Sequence, residues 1–189
     1  MTRDEAYQIL KSLIKNKNLF KHHLACEAVM RALYKKLNSQ QNLADEEKWG
    51  IVGLLHDADY ELSKNHPEKH TLILEEKYGK KIPQDVMYAI KSHNFANNQI
   101  MPKSLMDWSI YAADELTGLI VAATLVHPSK KLLSVTVDFL VNRFNEPSFA
   151  KGANRKQILA CEDKLNIPSK DFFDLCLKAM QAISPALGL

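Results

Sequence analysis

Residues 45–57 read Asp-Glu-Glu-Lys-Trp-Gly-Ile-Val-Gly-Leu-Leu-His-Asp, and this stretch bears on both the fold class and the chemistry. It predicts a helix over about Asp45 to Leu55, with His56 and Asp57 side by side at its C-terminal end. Burying an unpaired carboxylate is costly, whereas a divalent cation offsets the carboxylate charge and accepts a neutral imidazole. The pair therefore predicts a metal ligand set where a buried helix ends.

The sequence on either side of this stretch has helical period. Thr2-x-x-Glu5 is a capping-box signature, and apolar residues follow it at helical spacing. The only strand-like run, Ser134–Val137, is short and lies inside a helical pattern. Further helices are predicted over about Leu19–Leu37, Pro67–Tyr78 (ended by Gly79), Pro83–His93 (with Pro83 as first helical residue), Lys103–Val126, Lys131–Phe144, Asn154–Leu165 and Ser169–Ile183. The sequence predicts an all-α fold.

Length and composition are those of one globular domain. The chain has 189 residues, of which 46% are hydrophobic and 25% charged. We predict a single domain over residues 1–189, with a core of about 1–126 and a helical C-terminal extension of about 127–189. The net charge of +3 is mild and scattered, which argues against a nucleic-acid partner.

Cysteine usage and hydropathy predict a soluble cytoplasmic protein. Cys26, Cys161 and Cys176 are far apart in the sequence and form no CxxC motif, as expected of reduced, buried thiols. The N-terminus is charged and lacks an apolar signal core. The longest nearly apolar run, Leu116–Val126, is shorter than the roughly 20 residues that span a bilayer. No membrane partner is predicted, and oligomerisation stays open.

Four residues form the primary candidate site: His22, His56, Asp57 and Asp114. They lie on three predicted helices, in or beside apolar segments, so they can converge on one divalent cation inside a bundle. Mixed nitrogen and oxygen ligands suit Mn, Fe, Co, Ni or Zn. Such a metal lowers the pKa of a bound water toward neutrality.

The order His…His-Asp…Asp resembles that of the HD superfamily of metal-dependent phosphohydrolases. The stretches KHHLACEAVM (21–30), LLHDADYE (54–61) and AADELTGLI (112–120), and the tail through 180–189, are similar to a bacterial subgroup of predicted HD hydrolases. The resemblance covers nearly the whole chain and implies an HD-type helical bundle with additional C-terminal helices. It implies His22, His56, Asp57 and Asp114 as metal ligands. His22 is preferred over His23 because the family's first histidine is typically followed by x-Leu.

Some HD proteins hold a second metal through two further histidines, and His70 and His93 occupy the corresponding interval. If they converge, Asp57 could bridge two ions. The resemblance then implies hydrolysis of a phosphoester or phosphoanhydride bond, with His56, Asp57, His70 and His93 at the reacting centre. The expected cofactor is one or two divalent transition metal ions. The expected substrate is a small phosphorylated metabolite or nucleotide.

Departures from the family narrow this expectation. The His-Asp pair is followed by Ala58-Asp59-Tyr60 rather than Ile-Gly-Lys, and the Gly-Tyr-Pro motif of the cyclic-di-GMP branch is absent. The HD hydrolases that cleave diadenosine tetraphosphate remain a branch of the family with which this chain can be compared. Three alternatives stay open: a non-catalytic metal- or nucleotide-binding sensor, a di-iron oxygenase on the same fold, and a helical scaffold whose histidines are incidental.

Weaker candidates surround the main set. Asp59 and Glu61 are candidates to orient ligands, while His66 and His127 are interpreted as loop histidines. Basic residues that could contact phosphate are Lys103, Lys130, Lys131 and Arg155, and aromatic residues that could line a pocket or simply pack in the core are Phe95, Trp108 and Tyr111.

Overall fold

The structure is a computed structural model that describes residues 1–40 and 42–189. Within these ranges the chain forms α-helices, two short 3-10 turns (Pro67–Lys69 and Leu132–Ser134) and no β-strand, which confirms the all-α prediction. The helices are α1 (Arg3–Leu13), α2 (Lys17–Leu37), α3 (Leu43–Leu55), α4 (Tyr60–Ser63), α5 (Leu72–Tyr78), α6 (Gln84–His93), α7 (Phe95–Asn98), α8 (Leu105–Val126), α9 (Val137–Phe144), α10 (Arg155–Leu165), α11 (Ser169–Gln181) and α12 (Ser184–Leu187).

Side-chain caps fix where the helices begin. The capping box predicted at α1 is confirmed: the Thr2 hydroxyl accepts from the Glu5 N–H, and the Glu5 carboxylate accepts from the Thr2 N–H at 2.8 Å. Ser104 and Asp107 form the same reciprocal pair at α8. These bonds satisfy N–H groups that have no partner within the helix. They set the start of α8, and with it the position of Asp114.

The two longest helices, α2 and α8, form the centre of the fold. α2 packs against α3, α8 and α11, and α8 also packs against α6 and α10. One hydrophobic core includes Leu54 and Leu116 from the first part of the chain and Phe172 from the C-terminal part. The predicted division into a core and an extension near residue 126 stays a prediction.

Gly53 lets α3 approach α2 more closely than any other residue type would. A Cβ at this position would lie 2.5 Å from the carbonyl oxygen of Cys26 on α2. A contact that short with backbone cannot be relieved by a side-chain rotation, so the glycine is required here. Because His56 follows Gly53 by one helical turn, this close approach also brings His56 toward His22.

The predicted helix over Pro67–Tyr78 is wrong in its first half. A 3-10 turn covers Pro67–Lys69, and α5 begins only at Leu72. Between them Thr71 has a φ of 73°, in the left-handed region that β-branched residues rarely adopt. His70 therefore lies between the 3-10 turn and α5, outside both.

The prediction over Lys131–Phe144 is also wrong at its start, because a 3-10 turn is followed by a new helix that the Thr136 side chain caps. Pro83 precedes α6 with a ψ of 143° and is not its first helical residue. The short helices α4, α7 and α12 were not predicted. Ser134–Val137 forms no strand, as expected.

Helix α8 is the one helix in the described ranges that is long and apolar enough to cross a membrane by length and composition. However, 56% of its most apolar window is buried inside the fold. The core helix of a soluble protein has this character.

Candidate metal centre

The six residues predicted as metal ligands lie in two adjoining groups. They are His22 on α2, His56 at the end of α3, Asp57 in the following turn, His70 before α5, His93 at the end of α6 and Asp114 within α8. Within each group, ligand atoms lie within 4.8 Å of one another, so each could hold a metal ion.

The first group consists of the predicted ligands His22, His56 and Asp114, and the Cys26 thiol lies within the same distance as a fourth potential ligand. Nε2 of His22 lies 3.0 Å from Oδ1 of Asp114, and Nε2 of His56 lies 3.3 Å from the same oxygen. The two Nε2 atoms are 3.1 Å apart. His56 is fully buried, whereas the side chains of His22 and Asp114 are about one-fifth exposed (21% and 19%), so the group is reachable from solvent.

The second group consists of Asp57, His70 and His93. Oδ1 of Asp57 lies 2.9 Å from Nε2 of His70 and 3.2 Å from Nε2 of His93. These two Nε2 atoms are 3.2 Å apart. The arrangement repeats that of the first group: one carboxylate oxygen faces two imidazole nitrogens.

Asp57 joins the two groups. Its Oδ1 faces the second group, while its Oδ2 lies 3.7 Å from Nε2 of His56 and 3.9 Å from Nε2 of His22. One oxygen of the same carboxylate is thus directed toward each group. This is the disposition of a carboxylate that can bridge two cations.

The far side of two imidazole rings is fixed by backbone carbonyls. Nδ1 of His56 lies 2.9 Å from the carbonyl oxygen of Gly53, and Nδ1 of His93 is bonded to that of Ile90. A carbonyl only accepts, so each Nδ1 carries the proton and donates. Nε2 of each ring is therefore the nitrogen that faces the carboxylates, Asp114 for His56 and Asp57 for His93.

The other two rings are fixed by side chains. Nδ1 of His70 lies 2.7 Å from the Asp59 carboxylate and therefore donates to it. The Thr117 hydroxyl donates to the Asp114 carbonyl and accepts from Nδ1 of His22 at 3.2 Å. Metal-binding histidines characteristically have their second nitrogen anchored in this way.

Asp59 explains the break before α5. Its carboxylate is fully buried and accepts from the backbone N–H groups of Thr71 at 3.0 Å and Leu74 at 2.9 Å as well as from His70. These bonds replace helical ones and hold Thr71 in its left-handed conformation. The strain is offset by a charged acceptor that also orients His70, which is typical of functional sites.

Nearby carboxylates favour the protonated, positively charged forms of His56 and His70. Burial opposes charging of His70, but Asp57 and Asp59 outweigh it and raise the pKa of His70 to about 10. Burial likewise opposes charging of His56, yet Asp57, Cys26 and Asp114 raise its pKa to about 9. A metal ion would replace these protons, because it requires neutral imidazoles.

Nearby histidines lower the pKa of the two carboxylates, Asp57 and Asp114. Burial opposes ionisation of Asp57, but His56, His70 and His93 hold its pKa well below the usual range. The pKa of Asp114 is lowered as well, since the nearby His22 and His56 outweigh burial. Both carboxylates are therefore charged at neutral pH and available to a cation.

Among the histidines outside the two groups, His23 is the most unusual. It is fully buried, and neither of its ring nitrogens has a hydrogen-bond partner. Burial, together with the neighbouring His56, lowers its pKa well below 6.5. His22, not His23, therefore points at the site. His66 is exposed beside Glu68, and His127 caps the end of α8.

Of the weaker candidates, Asp59 contacts the second group through His70, and the others do not join either group. Glu61 accepts from the backbone of Lys15 and Asn16 and orients no ligand. Arg155 donates to carbonyls of the 144–153 segment and does not serve as a phosphate contact. Lys103, Lys130, Lys131, Phe95, Trp108 and Tyr111 do not line the cavity beside His22 and Asp114.

Sequence reasoning missed two neighbours of the first group. The Cys26 thiol lies 3.8 Å from Nε2 of His22 and 3.4 Å from the Thr117 hydroxyl. The spacing of Cys26 four residues after His22 was the available signal, since such residues share a helix face. Cys161 and Cys176 are free and buried as predicted, and burial raises the pKa of Cys161 to about 12.

No family model, curated protein or solved structure matches the chain. The assignment of chemistry therefore depends on the geometry of the two groups and on the sequence motifs.

Proposed function

We propose that this protein is a metal-dependent phosphohydrolase of the HD type. It would cleave a phosphoester or phosphoanhydride bond in a small nucleotide or phosphorylated metabolite. The observation that carries the proposal is the convergence of four imidazole Nε2 atoms on two carboxylates, with one oxygen of Asp57 directed toward each group. The order of these residues along the chain, which resembles the HD superfamily, supports it.

The donor set fits a divalent transition metal. In each group two imidazole nitrogens face one another at 3.1–3.2 Å, with their Nδ1 protons already committed elsewhere. Two lone pairs at that distance repel unless a proton or cation lies between them. Imidazole with carboxylate suits Mn, Fe, Co, Ni or Zn.

The residues divide into two ligand sets with one shared member. His22, His56 and Asp114 with Oδ2 of Asp57 would hold one ion, and His70 and His93 with Oδ1 of Asp57 would hold a second. A bound metal would polarise the phosphoryl oxygens and lower the pKa of a water molecule at the site.

The chain itself supplies positioning. The anchored Nδ1 atoms fix the orientation of all four rings, so little rearrangement is needed on binding. As ligands, His70 and His93 would have both nitrogens occupied, Nδ1 by a protein acceptor and Nε2 by the ion. Neither is a free proton donor for a leaving group, and the proposal gives both the role of ligand.

The test begins with metal content and phosphatase activity of protein purified without chelators or affinity metals. We expect about one or two equivalents of a transition metal and hydrolysis within a broad panel of phosphoesters. The double variant His56→Ala, Asp57→Ala should lose both. The matched control is His66→Ala, an exposed histidine outside the groups, which should keep both.

The same experiment distinguishes the alternatives. Full metal occupancy without turnover of any phosphoester would favour a metal-binding sensor. Iron with consumption of dioxygen would favour an oxygenase, for which two adjoining ligand groups are equally suited. Absence of metal in every protein, with no rebinding of Mn, Fe, Co, Ni or Zn, would favour a helical scaffold whose histidines are incidental. A cytoplasmic location is part of the proposal.

A further inference from the structure

A cavity of about 360 Å³ adjoins the first group. Two members of that group, His22 and Asp114, line it. The remaining lining residues come from α8 and from the segment before α10, and they are Glu115, Gly118, Ala150, Gly152 and Ala153. The entrance to the metal centre is thus built from two glycines, two alanines and one carboxylate.

Gly118 lies inside α8, one turn after Asp114 and on the same helix face. Glycine in a helix interior is less stable than alanine because it loses more backbone entropy on folding. A Cβ at Gly118 would meet nothing within 4 Å, in contrast to Gly53, where a Cβ would strike backbone. Neither packing nor backbone conformation requires glycine at position 118.

Gly152 lines the same cavity from the segment before α10. A Cβ there would also meet nothing within 4 Å, and its φ lies outside the left-handed region that favours glycine. Two glycines that the fold does not need therefore line the same cavity, one from α8 and one from the segment before α10. What they have in common is the space they leave above His22 and Asp114.

Hydrogen bonds tie the segment that carries Gly152 to α10 and to α8. The Arg155 guanidinium donates to the carbonyls of Ala150 at 2.6 Å and Ala153 at 2.8 Å. The Asn154 N–H donates to Oε2 of Glu115 at 3.0 Å. These bonds place Gly152 beside α8, where Gly118 lies.

We propose that Gly118 and Gly152 set the size of the group that substrate carries beyond its phosphoryl centre. The inference rests on the proposed function, since the phosphoryl group would lie at the metal centre below. No lining residue that the structure describes is lysine or arginine, and Lys151 on the same segment is exposed and does not line the cavity. The Glu115 carboxylate disfavours a second phosphate in the cavity. Within the proposed function, the inference therefore favours a phosphoester whose attached group is uncharged or donates hydrogen bonds over a phosphoanhydride.

The test compares binding of a small and a large phosphonate, which are non-hydrolysable. Methylphosphonate and phenylphosphonate are titrated calorimetrically into the full chain with Mn²⁺ present. The variants are Gly118→Ala, Gly118→Val and Gly152→Val. The control is Leu125→Val, which places the same β-branched residue at an exposed position of α8 away from the cavity.

We expect methylphosphonate affinity to stay within about twofold in every protein, whereas phenylphosphonate binding weakens about tenfold or more in Gly118→Val and Gly152→Val. Gly118→Ala should give a smaller loss, and Leu125→Val none. The inference is overturned if phenylphosphonate binds the valine variants normally, if both ligands weaken equally, or if neither binds the wild type.

Hydrolysis of phenyl phosphate is measured separately on the same proteins. Size-dependent phosphonate binding without hydrolysis of any phosphoester would contradict the proposed function but support the role of Gly118 and Gly152 in limiting ligand size. Hydrolysis of phosphoesters, with phosphonate binding that does not depend on ligand size, would support the proposed function and contradict the role of the two glycines.

Discussion

The two ligand groups are held in different ways. His22, His56 and Asp114 are borne by α2, α3 and α8, long helices whose packing places them together. His70, by contrast, lies in a non-helical segment whose shape depends on the buried Asp59 carboxylate. The first group depends on helix packing and the second on a local hydrogen-bond network, so the two should fail separately under mutation.

The largest effect is expected from Gly53→Ala, which breaks the packing that supports the first group. The added Cβ would lie 2.5 Å from the Cys26 carbonyl oxygen and force α2 and α3 apart. We expect a loss of about 3 kcal/mol in the free energy of unfolding, measured by urea denaturation. Gly118→Ala is the matched control, because its Cβ has free space. Equal stability of the two variants would contradict the packing argument.

Asp59→Asn should disrupt the second group and spare the first. The variant loses the charged acceptor shared by His70, Thr71 and Leu74, and we expect about 2 kcal/mol of destabilisation. Metal content should fall by one ion per chain. The control Glu61→Gln changes a nearby acid that bonds only exposed backbone. Loss of both ions in Asp59→Asn would show that the groups are not independent.

The metal-free protein should lose stability as the pH rises. The pKa of His70 is raised to about 10, against an unfolded value of about 6.5. Its contribution is therefore complete below about pH 6.5 and is lost as the pH rises through about 10. Urea midpoints between pH 7 and 10 should fall less steeply in His70→Gln than in wild type. Saturating Mn²⁺ should weaken the trend, because metal binding requires neutral imidazoles.

The smallest effect, and one of opposite sign, is expected from Gly118→Ala. Replacing an interior helical glycine whose Cβ has free space should stabilise the protein by about 1 kcal/mol. A thermal melt gives the direction. A lowered melting temperature would mean that the backbone of α8 needs glycine at this position. Gly118 would then be explained by the fold rather than by the cavity.

Helical period in the sequence predicted the long helices, and residue chemistry together with the HD resemblance singled out His22 and Asp114, each of which lies within a regular helix. The break at Thr71 was not predictable in the same way. It depends on bonds from Asp59 to residues 12 and 15 positions later, and no local pattern reports them. The close approach at Gly53 likewise involves a contact between two helices rather than a property of either.

The central claim is that Asp57 joins two metal sites, and the number of Mn²⁺ ions bound per chain tests it most directly. Equilibrium dialysis should give two ions for wild type. His22→Ala and His93→Ala should each retain one ion, and Asp57→Ala should weaken both sites. Wild type that binds fewer than two ions, or an Asp57→Ala variant that binds two ions with wild-type affinity, would contradict the account.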